Sequence, residues 1–119
     1  MSDEEFTKAL ERTREVRLTV TGRRSGREIT IPLWFVREGA KLYLVPVRGT
    51  DADWYRNVRK TPAIRLAARG AQLTATAKPI TEGATVAEVF DKFQAKYGAR
   101  DVAAYYSKQD AAVEVPLTA

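Results

Sequence analysis

Apolar and polar residues alternate along several short segments of the chain. In segment 15–22, Val16, Leu18 and Val20 fall on one face, while Arg17 and Thr19 fall on the other. Side chains of a β-strand point alternately to opposite faces of the sheet, so this pattern predicts a strand that is buried on one side.

Five further segments have the composition and alternation of strands, namely 28–37, 41–47, 63–68, 72–79 and 113–117. Gly39 and Gly70 lie in the short turns of two predicted hairpins. Pro32 lacks the backbone N–H that a central strand needs, so it predicts an edge strand, a bulge or a local break. The strands therefore number about six.

Three segments have the apolar spacing of helices, namely 2–13, 51–60 and 85–98. The first and third begin with capping boxes, at Ser2 and at Thr85, and Asp51 or Asp53 is expected to cap the second. Six strands joined mostly by hairpins, with two or three helices, predict a mainly β (α+β) fold, a small β-barrel with helices packed on it.

The chain has 119 residues and contains neither Cys nor His. The first absence excludes disulfides, thiol nucleophiles and Cys-based zinc sites, and the second excludes imidazole ligands and Ser-His-Asp triads. We therefore predict no metal site. Any activity must use carboxylates, hydroxyls, phenols, guanidinium groups or a bound cofactor.

The length of the chain predicts one domain, residues 1–119, and the 45% of hydrophobic residues is ordinary for a globular domain. No apolar run approaches the roughly 20 residues of a membrane span, so no stable membrane insertion is expected. The acidic start MSDEEF lacks the features of a signal peptide. A cytoplasmic location is therefore expected.

Positive charge is concentrated in the middle of the chain. The net charge is +5, and it divides into +9 between Arg12 and Arg69 and −4 in the remainder. Such asymmetry predicts that one surface receives an anion, although any single arginine in the stretch is more often simply solvated.

The sequence GRRSGR, residues 22–27, is the first candidate site. Three arginines, a serine and two glycines provide guanidinium donors, a hydroxyl and flexible backbone N–H groups, which together can hold a phosphate or a carboxylate. The stretch is not a Walker-type phosphate loop, and a turn between strands favours the same residue types. Pattern alone leaves both interpretations open.

The second candidate site is the segment from Pro46 to Asn57. A strand ends there at Gly49 and a helix begins a few residues later, so backbone N–H groups and the positive end of a helix dipole are close together. An anionic or polar planar ligand suits such a place. Trp54 is expected more often as a core anchor than as a stacking surface.

The order TGRRSGREITIPLWFVREGAKLYLVPVRG followed by DWYRNVRKTP resembles the deazaflavin-dependent nitroreductase family over roughly residues 18–76. The resemblance implies a six-stranded split β-barrel of the FMN-binding, pyridoxamine-phosphate-oxidase-like type. It further implies that the chain is an enzyme binding 8-hydroxy-5-deazaflavin, coenzyme F-420, with FMN as the second choice. The implied reaction is hydride transfer to a small-molecule acceptor such as a quinone, a nitro compound or an enone.

By the same resemblance, the arginine turn would hold the phosphate and the acidic oligoglutamate tail of the cofactor. The residues concerned are Arg23, Arg24, Ser25, Gly26 and Arg27. A polyanionic tail needs a cluster of arginines more than it needs one fixed geometry. This expectation agrees with the interpretation from composition.

The loop after the third predicted strand would border the ribityl chain and the ring. Its implied residues are Pro46, Val47, Arg48, Gly49 and Thr50. Val47 stands where the family commonly has Ser or another small residue, and the loop that follows is shorter than usual. Either departure could shift the preference toward FMN.

Pro32, Trp54 and Asn57 complete the implied cofactor site. Tyr105 and Tyr106 are the candidate catalytic residues on the substrate side, where a tyrosine or water would deliver a proton. The cofactor carries the redox chemistry, so the lack of His and Cys is no obstacle.

Two alternatives remain open at the level of sequence. A small basic barrel could bind single-stranded nucleic acid, with Trp34, Phe35 and Tyr43 as stacking surfaces, although charge alone does not explain the order of the motifs. The chain could also be a cofactor carrier without turnover. We expect no nucleic-acid partner, and a homodimer is possible because this type of barrel commonly forms one.

Overall fold

Two four-stranded antiparallel sheets form the body of the protein in this computed structural model, which describes residues 3–117. In the first sheet the order is β2-β1-β5-β6, with β1 at Glu15–Thr21, β2 at Glu28–Trp34, β5 at Ala63–Ala68 and β6 at Ala71–Thr76. In the second the order is β3-β4-β8-β7, with β3 at Val36–Glu38, β4 at Lys41–Leu44, β7 at Lys78–Ile80 and β8 at Ala112–Pro116.

The prediction of six strands is wrong, because the described residues contain eight. Predicted strand 28–37 is divided at Phe35 into β2 and β3, and predicted strand 72–79 is divided at Ala77 into β6 and β7. Both dividing residues are buried and apolar, at 2% and 4% exposure. They mark the points where the chain passes from one sheet to the other, and a buried apolar residue there does not interrupt the hydrophobic pattern.

Pro32 lies in β2, which is an edge strand of the first sheet. This confirms the prediction of an edge, because an edge strand tolerates a residue without a backbone donor. Gly39 forms the predicted β3–β4 turn with φ +60°.

Four α-helices lie among the described residues: α1 at Asp3–Leu10, α2 at Asp53–Lys60, α3 at Gly83–Tyr97 and α4 at Ala99–Tyr105. The proposed cap Ser2 lies outside the described residues. A short 3₁₀ turn, Gly49–Asp51, precedes α2. The sequence did not predict α4, which Gly98 separates from α3 with φ +97°.

Both predicted caps within the described residues are wrong. The N-cap of α2 is Ala52, whose side chain has no polar atom, and Asp51 and Asp53 pair with basic side chains and do not cap the helix. The cap of α3 is Glu82, whose carboxylate accepts from the backbone N–H of Ala84 at 3.0 Å and of Thr85 at 2.9 Å. A carboxylate just before the helix satisfies the free N–H groups and lets it begin earlier than Thr85.

Two clusters of buried apolar residues form the core. The larger one contains residues of both sheets together with Phe6 of α1 and Trp54 of α2. The smaller one joins Tyr43 and Val45 to Phe90 and Phe93 of α3 and to Tyr106. Helix α3 thus packs on the second sheet, and the chain after it returns toward the end of β4. Within residues 3–117, no helix is long and apolar enough to cross a membrane.

Candidate functional site

The arginine turn, residues 22–27, is closed by its own backbone. Gly22 N–H donates to the carbonyl of Arg27 at 2.8 Å, and Gly26 N–H donates to the carbonyl of Gly22 at 2.9 Å. Gly26 has φ +73°, in the left-handed region that favours glycine. The Oγ of Ser25 accepts from Arg27 N–H at 3.1 Å. The turn is therefore a small preformed loop with its arginine side chains outside.

Arg23 is bound to residues along the length of α2. Its backbone N–H and its guanidinium both donate to Asn57 Oδ1, at 3.0 and 2.9 Å. The guanidinium also pairs with Asp53 Oδ1 at 3.3 Å, and Lys60 Nζ donates to the Arg23 carbonyl at 2.9 Å. Arg23 and Asn57, both predicted as cofactor ligands, thus join the arginine turn to α2.

Arg24 and Arg27 are exposed, and their side chains make no hydrogen bond or ion pair within residues 3–117. Beside Arg24 lies an open groove of about 240 Å³, lined also by Ile29, Asp53 and Asn57. Ile29 is 41% exposed, which is unusual for so large an apolar side chain. A free guanidinium group beside an exposed apolar side chain suits a ligand that carries both an anionic group and an organic body.

The Arg48 loop, residues 46–51, follows β4 and leads into α2. Pro46 accepts a hydrogen bond from Gly49 N–H at 3.1 Å, and Gly49 is buried with φ +57°. Arg48 is exposed and, in the described part of the chain, has no partner for its side chain. The loop thus presents a third free guanidinium on a backbone held in a tight turn.

Aromatic rings gather where α3 and α4 meet the end of β2. Trp34 stacks on Tyr97 with ring centroids 4.3 Å apart and an angle of 6° between the planes. Tyr105 lies against Trp34 at 5.0 Å, and Tyr106 meets Trp34 edge-on at 6.2 Å. Val47 of the Arg48 loop packs against the cluster that contains Tyr106.

The two candidate catalytic tyrosines lie in different environments. Tyr106 is 3% exposed, and burial raises the pKa of its hydroxyl above the ordinary value, so this group holds its proton. Tyr105 is 48% exposed. A proton donor that must meet a substrate needs access, and of these two only Tyr105 has it.

Lys96 lies beside the same rings. Its Nζ donates to the carbonyl of Phe35 at 2.7 Å and lies 3.6 Å from the centroid of the Phe35 ring. Burial, together with the positive charge of Arg14, lowers the pKa of Lys96 to about 8. Of the structure's described residues, no carboxylate pairs with it.

Trp54 and Pro32 do not line the groove at the arginine turn. Trp54 is 8% exposed and belongs to the core, where it meets Tyr55 edge-on at 6.3 Å. Pro32 lies opposite Arg17 and lines a different groove, which it shares with Arg69.

The nucleic-acid alternative required Trp34, Phe35 and Tyr43 as exposed stacking surfaces. Phe35 is 2% exposed and Tyr43 is 7% exposed, while Trp34 is covered on one face by Tyr97. The expected stacking surface is wrong for this fold, because two of the three rings are core residues.

Sequence reasoning missed three residues that hold the site together. Asp53 binds Arg23, Asp110 binds Thr50, and Ser107 binds the carbonyl of Val47. Asp110 and Ser107 lie far along the chain from their partners, so no local pattern points to them. Only Asp53, near the start of a predicted helix, had a sequence signal, and it was interpreted as a cap.

Several proteins of known structure have a fold similar to this one. An F420-H2 dependent reductase is 24% identical with TM-score 0.68, and the match covers 86% of this chain and 93% of that one. A structure described only as a domain-swapped dimer is 23% identical with TM-score 0.69 and covers 94% of both chains. A Listeria innocua protein, provisionally named a pyridoxamine 5′-phosphate oxidase, is 11% identical with TM-score 0.68 over 95% of this chain and 90% of that one.

A family model matches almost the whole chain, residues 2–118, and its description is F420H(2)-dependent quinone reductase. The match extends well beyond the motifs that carried the resemblance and includes the arginine turn, the Arg48 loop and the tyrosine segment. The predicted resemblance to deazaflavin-dependent reductases is thereby confirmed, and coenzyme F-420 rather than FMN is the cofactor of the family. The chain belongs to the F420H(2)-dependent quinone reductase family of oxidoreductases.

Proposed function

We propose that this chain transfers a hydride from reduced coenzyme F-420 to a quinone and that its free arginines bind the anionic part of the coenzyme. The observation that carries the assignment of residues is that Arg24 lines the groove at the arginine turn and, like Arg27 and Arg48, has no partner for its side chain among residues 3–117. Neighbouring basic residues such as Arg23 and Arg56 are paired with carboxylates of the chain itself. Unpaired guanidinium groups retain their full capacity to bind phosphate or carboxylate.

The described site fits the coenzyme by the chemistry of its donors. The arginine turn offers two free guanidinium groups and a backbone curved by Gly26, beside a groove with an apolar side chain at Ile29. A ligand with a polyanionic tail and a planar ring matches that combination. FMN is not needed to account for it.

When bound, the reduced coenzyme supplies the hydride, which is chemistry that no side chain of this protein provides. Reduction of a quinone to a quinol also requires a proton. We assign that proton to Tyr105, whose exposed ring lies against Trp34, or to water admitted beside it. Trp34, stacked on Tyr97, forms a rigid wall that orients a planar acceptor and excludes water from one side.

Replacement of Arg24 by Ala tests the proposed arginines. We expect the dissociation constant of coenzyme F-420, measured by fluorescence titration, to rise about 5- to 150-fold, which corresponds to one lost charge-assisted bond of roughly 1–3 kcal/mol. Arg100→Ala is the matched control, because Arg100 is an exposed arginine of α4 without a partner in the described chain. The dissociation constant of coenzyme F-420 from Arg100→Ala should equal that from the parent protein.

Two outcomes contradict the proposal in different ways. If the parent protein binds no coenzyme F-420 at tens of micromolar, or binds it without reducing menadione, the activity is wrong for this chain. If the parent binds and Arg24→Ala binds equally well, the activity stands but the arginine turn is merely solvated.

We also propose that the chain forms a homodimer. One protein of the same fold is described as a domain-swapped dimer, and this supports the proposal. Light scattering coupled to size-exclusion chromatography measures the mass directly, and a mass of 13.3 kDa at tens of micromolar would contradict it.

A further inference from the structure

The Arg48 loop is bonded along its length to a second loop, residues 107–110, which we name the Asp110 loop. Ser107 donates to the carbonyl of Val47 twice, from its backbone N–H at 3.0 Å and from its Oγ at 3.1 Å. Lys108 Nζ pairs with Asp51 at 3.0 Å. These contacts hold the loop on both sides of Arg48.

Asp110 makes the central contact between the two loops. Its Oδ1 accepts from the backbone N–H of Thr50 at 2.9 Å, and its Oδ2 accepts from Thr50 Oγ1 at 2.9 Å. One carboxylate thus fixes both the backbone and the side chain of a single residue. Hydrogen bonds to an ionised carboxylate are stronger than those between neutral groups.

The two loops approach so closely that Gly49 has no room for a side chain. A Cβ at Gly49 would overlap the Asp110 carboxylate and would lie 2.9 Å from the carbonyl of Lys108. With φ +57° as well, Gly49 allows the backbone to turn directly over the carboxylate. The contact therefore fixes the turn that follows Arg48.

Charge keeps Asp110 in the form that accepts hydrogen bonds. Burial raises the pKa of its carboxyl, but the bonds from Thr50 and the charge of Lys108 outweigh burial and leave the pKa below its ordinary value. Lys108 Nζ lies 3.6 Å from Asp110 Oδ2. Asp110 is thus ionised at neutral pH and accepts through both oxygens.

The Asp110 loop follows in the chain just after Tyr105 of the aromatic wall, the name we give to the packed rings of Trp34, Tyr97 and Tyr105. Tyr105 and Tyr106 immediately precede Ser107 in the chain, and Tyr105 lies against Trp34. The short segment 105–110 therefore carries two parts of the proposed site. Tyr105 lies on the side proposed for the acceptor, and Asp110 fixes the Arg48 loop on the side proposed for the coenzyme. Hydride transfer requires the two reacting atoms within about 3–3.5 Å, so the relative position of these two sides matters.

We infer that Asp110 is a positioning residue for the reductase, holding the Gly49–Thr50 turn so that Arg48 and Tyr105 keep a fixed relation to one another. The inference rests on the proposed function, because it assigns the coenzyme to the Arg48 side and the acceptor to the Tyr105 side. Asp110 need not contact either ligand. It acts through Thr50.

Four variants test this inference: Asp110→Ala, Asp110→Asn, Thr50→Val and the double variant Asp110→Ala/Thr50→Val. Asp91→Asn is the matched control, because Asp91 is an exposed carboxylate of α3 without a partner among the described residues. Three quantities are measured: the dissociation constant of coenzyme F-420, kcat and KM with menadione, and the hydrogen-exchange rate of the Thr50 amide without coenzyme.

For Asp110→Ala we expect the Thr50 amide to exchange at least about ten-fold faster, because its acceptor is gone. The dissociation constant of the coenzyme should rise about ten-fold and kcat should fall about ten-fold, since binding must now order the loop. KM for menadione should change less than about two-fold, as the aromatic wall is intact. Asp110→Asn keeps one acceptor oxygen, so its Thr50 exchange rate, its dissociation constant for the coenzyme and its kcat should lie between those of the parent and of Asp110→Ala.

The double variant tests whether Asp110 acts through Thr50. Thr50→Val alone should weaken coenzyme binding about three-fold, but in the Asp110→Ala background it should add almost nothing, because the two residues act as a pair. Additive effects would overturn the inference. So would an unchanged Thr50 exchange rate, or a coenzyme dissociation constant and kcat both within two-fold of the parent. Failure of the parent to bind the coenzyme would instead refute the proposed function.

Discussion

Replacing Asn57 with Ala removes the acceptor that joins the arginine turn to α2. Asn57 is 4% exposed, and its Oδ1 accepts from the Arg23 backbone N–H at 3.0 Å and from the Arg23 guanidinium at 2.9 Å. In the variant, the backbone N–H loses its partner in a place that water reaches poorly. The guanidinium keeps Asp53.

The size of the effect follows from these two bonds. A neutral hydrogen bond contributes about 0.5–1.5 kcal/mol and one from a charged donor about 1.5–3 kcal/mol. The Arg23 side chain is 22% exposed, so solvent compensates part of the second bond. We therefore expect the free energy of unfolding to fall by about 2 kcal/mol, and Tm to fall by about 8 °C at roughly 4 °C per kcal/mol for a domain of this size.

Urea denaturation followed by tryptophan fluorescence measures this change, because Trp54 lies in the first turn of α2. Asn57→Asp is the conservative variant: it keeps an acceptor oxygen and places a negative charge against Arg23, so its stability should be close to that of the parent. Gln94→Ala removes an exposed amide from α3 and controls for the loss of an amide as such. An unfolding midpoint of Asn57→Ala equal to that of Gln94→Ala would refute the reasoning.

Three further substitutions have definite expected outcomes. Gly49→Ala places a Cβ into the Asp110 carboxylate at φ +57°, and urea denaturation should show a loss of at least about 2 kcal/mol. Tyr55→Phe should not lower stability and should raise it by up to about 1 kcal/mol in the same assay, because the Tyr55 hydroxyl is buried without a hydrogen bond among the described residues. Lys96 has a pKa of about 8 in the folded protein and 10.5 in the unfolded chain. Between pH 8 and pH 10.5 the unfolded chain therefore binds more protons than the folded protein, so the contribution of Lys96 to the free energy of unfolding rises with pH over this range. Any stability advantage of Lys96→Met over the parent should therefore shrink as urea titrations move from pH 8 to pH 10, and a difference independent of pH would contradict the assignment.

The local pattern was sufficient for the strands and for most helix positions, because alternation and helical spacing depend on neighbouring residues. It failed where the chain crosses between sheets at Phe35 and Ala77, since burial at a crossing continues the apolar pattern without a break. It also failed at the caps: Asp51 and Asp53 suit an N-cap by type, but the basic groups brought near them by the fold bind them more strongly. Competition of that kind is decided by tertiary contacts.

The same competition limits what composition says about the site. The stretch from Arg12 to Arg69 carries a charge of +9, and a count of charges cannot tell which cations are free. The fold brings Asp53 to Arg23, Glu11 to Arg37, Asp51 to Arg56 and Glu28 to Arg65, which removes four arginines from the set available to a ligand.

Among the arginines that remain unpaired within residues 3–117, Arg24 and Arg27 belong to the arginine turn and Arg48 to the Arg48 loop. Arg24 lines the groove at the arginine turn, and Arg48 projects from the loop that Asp110 fixes. The carboxylates of the chain therefore act in two ways. Asp53 pairs with Arg23, which joins the arginine turn to α2, and Asp110 holds the backbone of the loop that carries the unpaired Arg48. Under the proposed function, Asp53 and Asp110 therefore determine which guanidinium groups are free to bind an anion and on what backbone they are held.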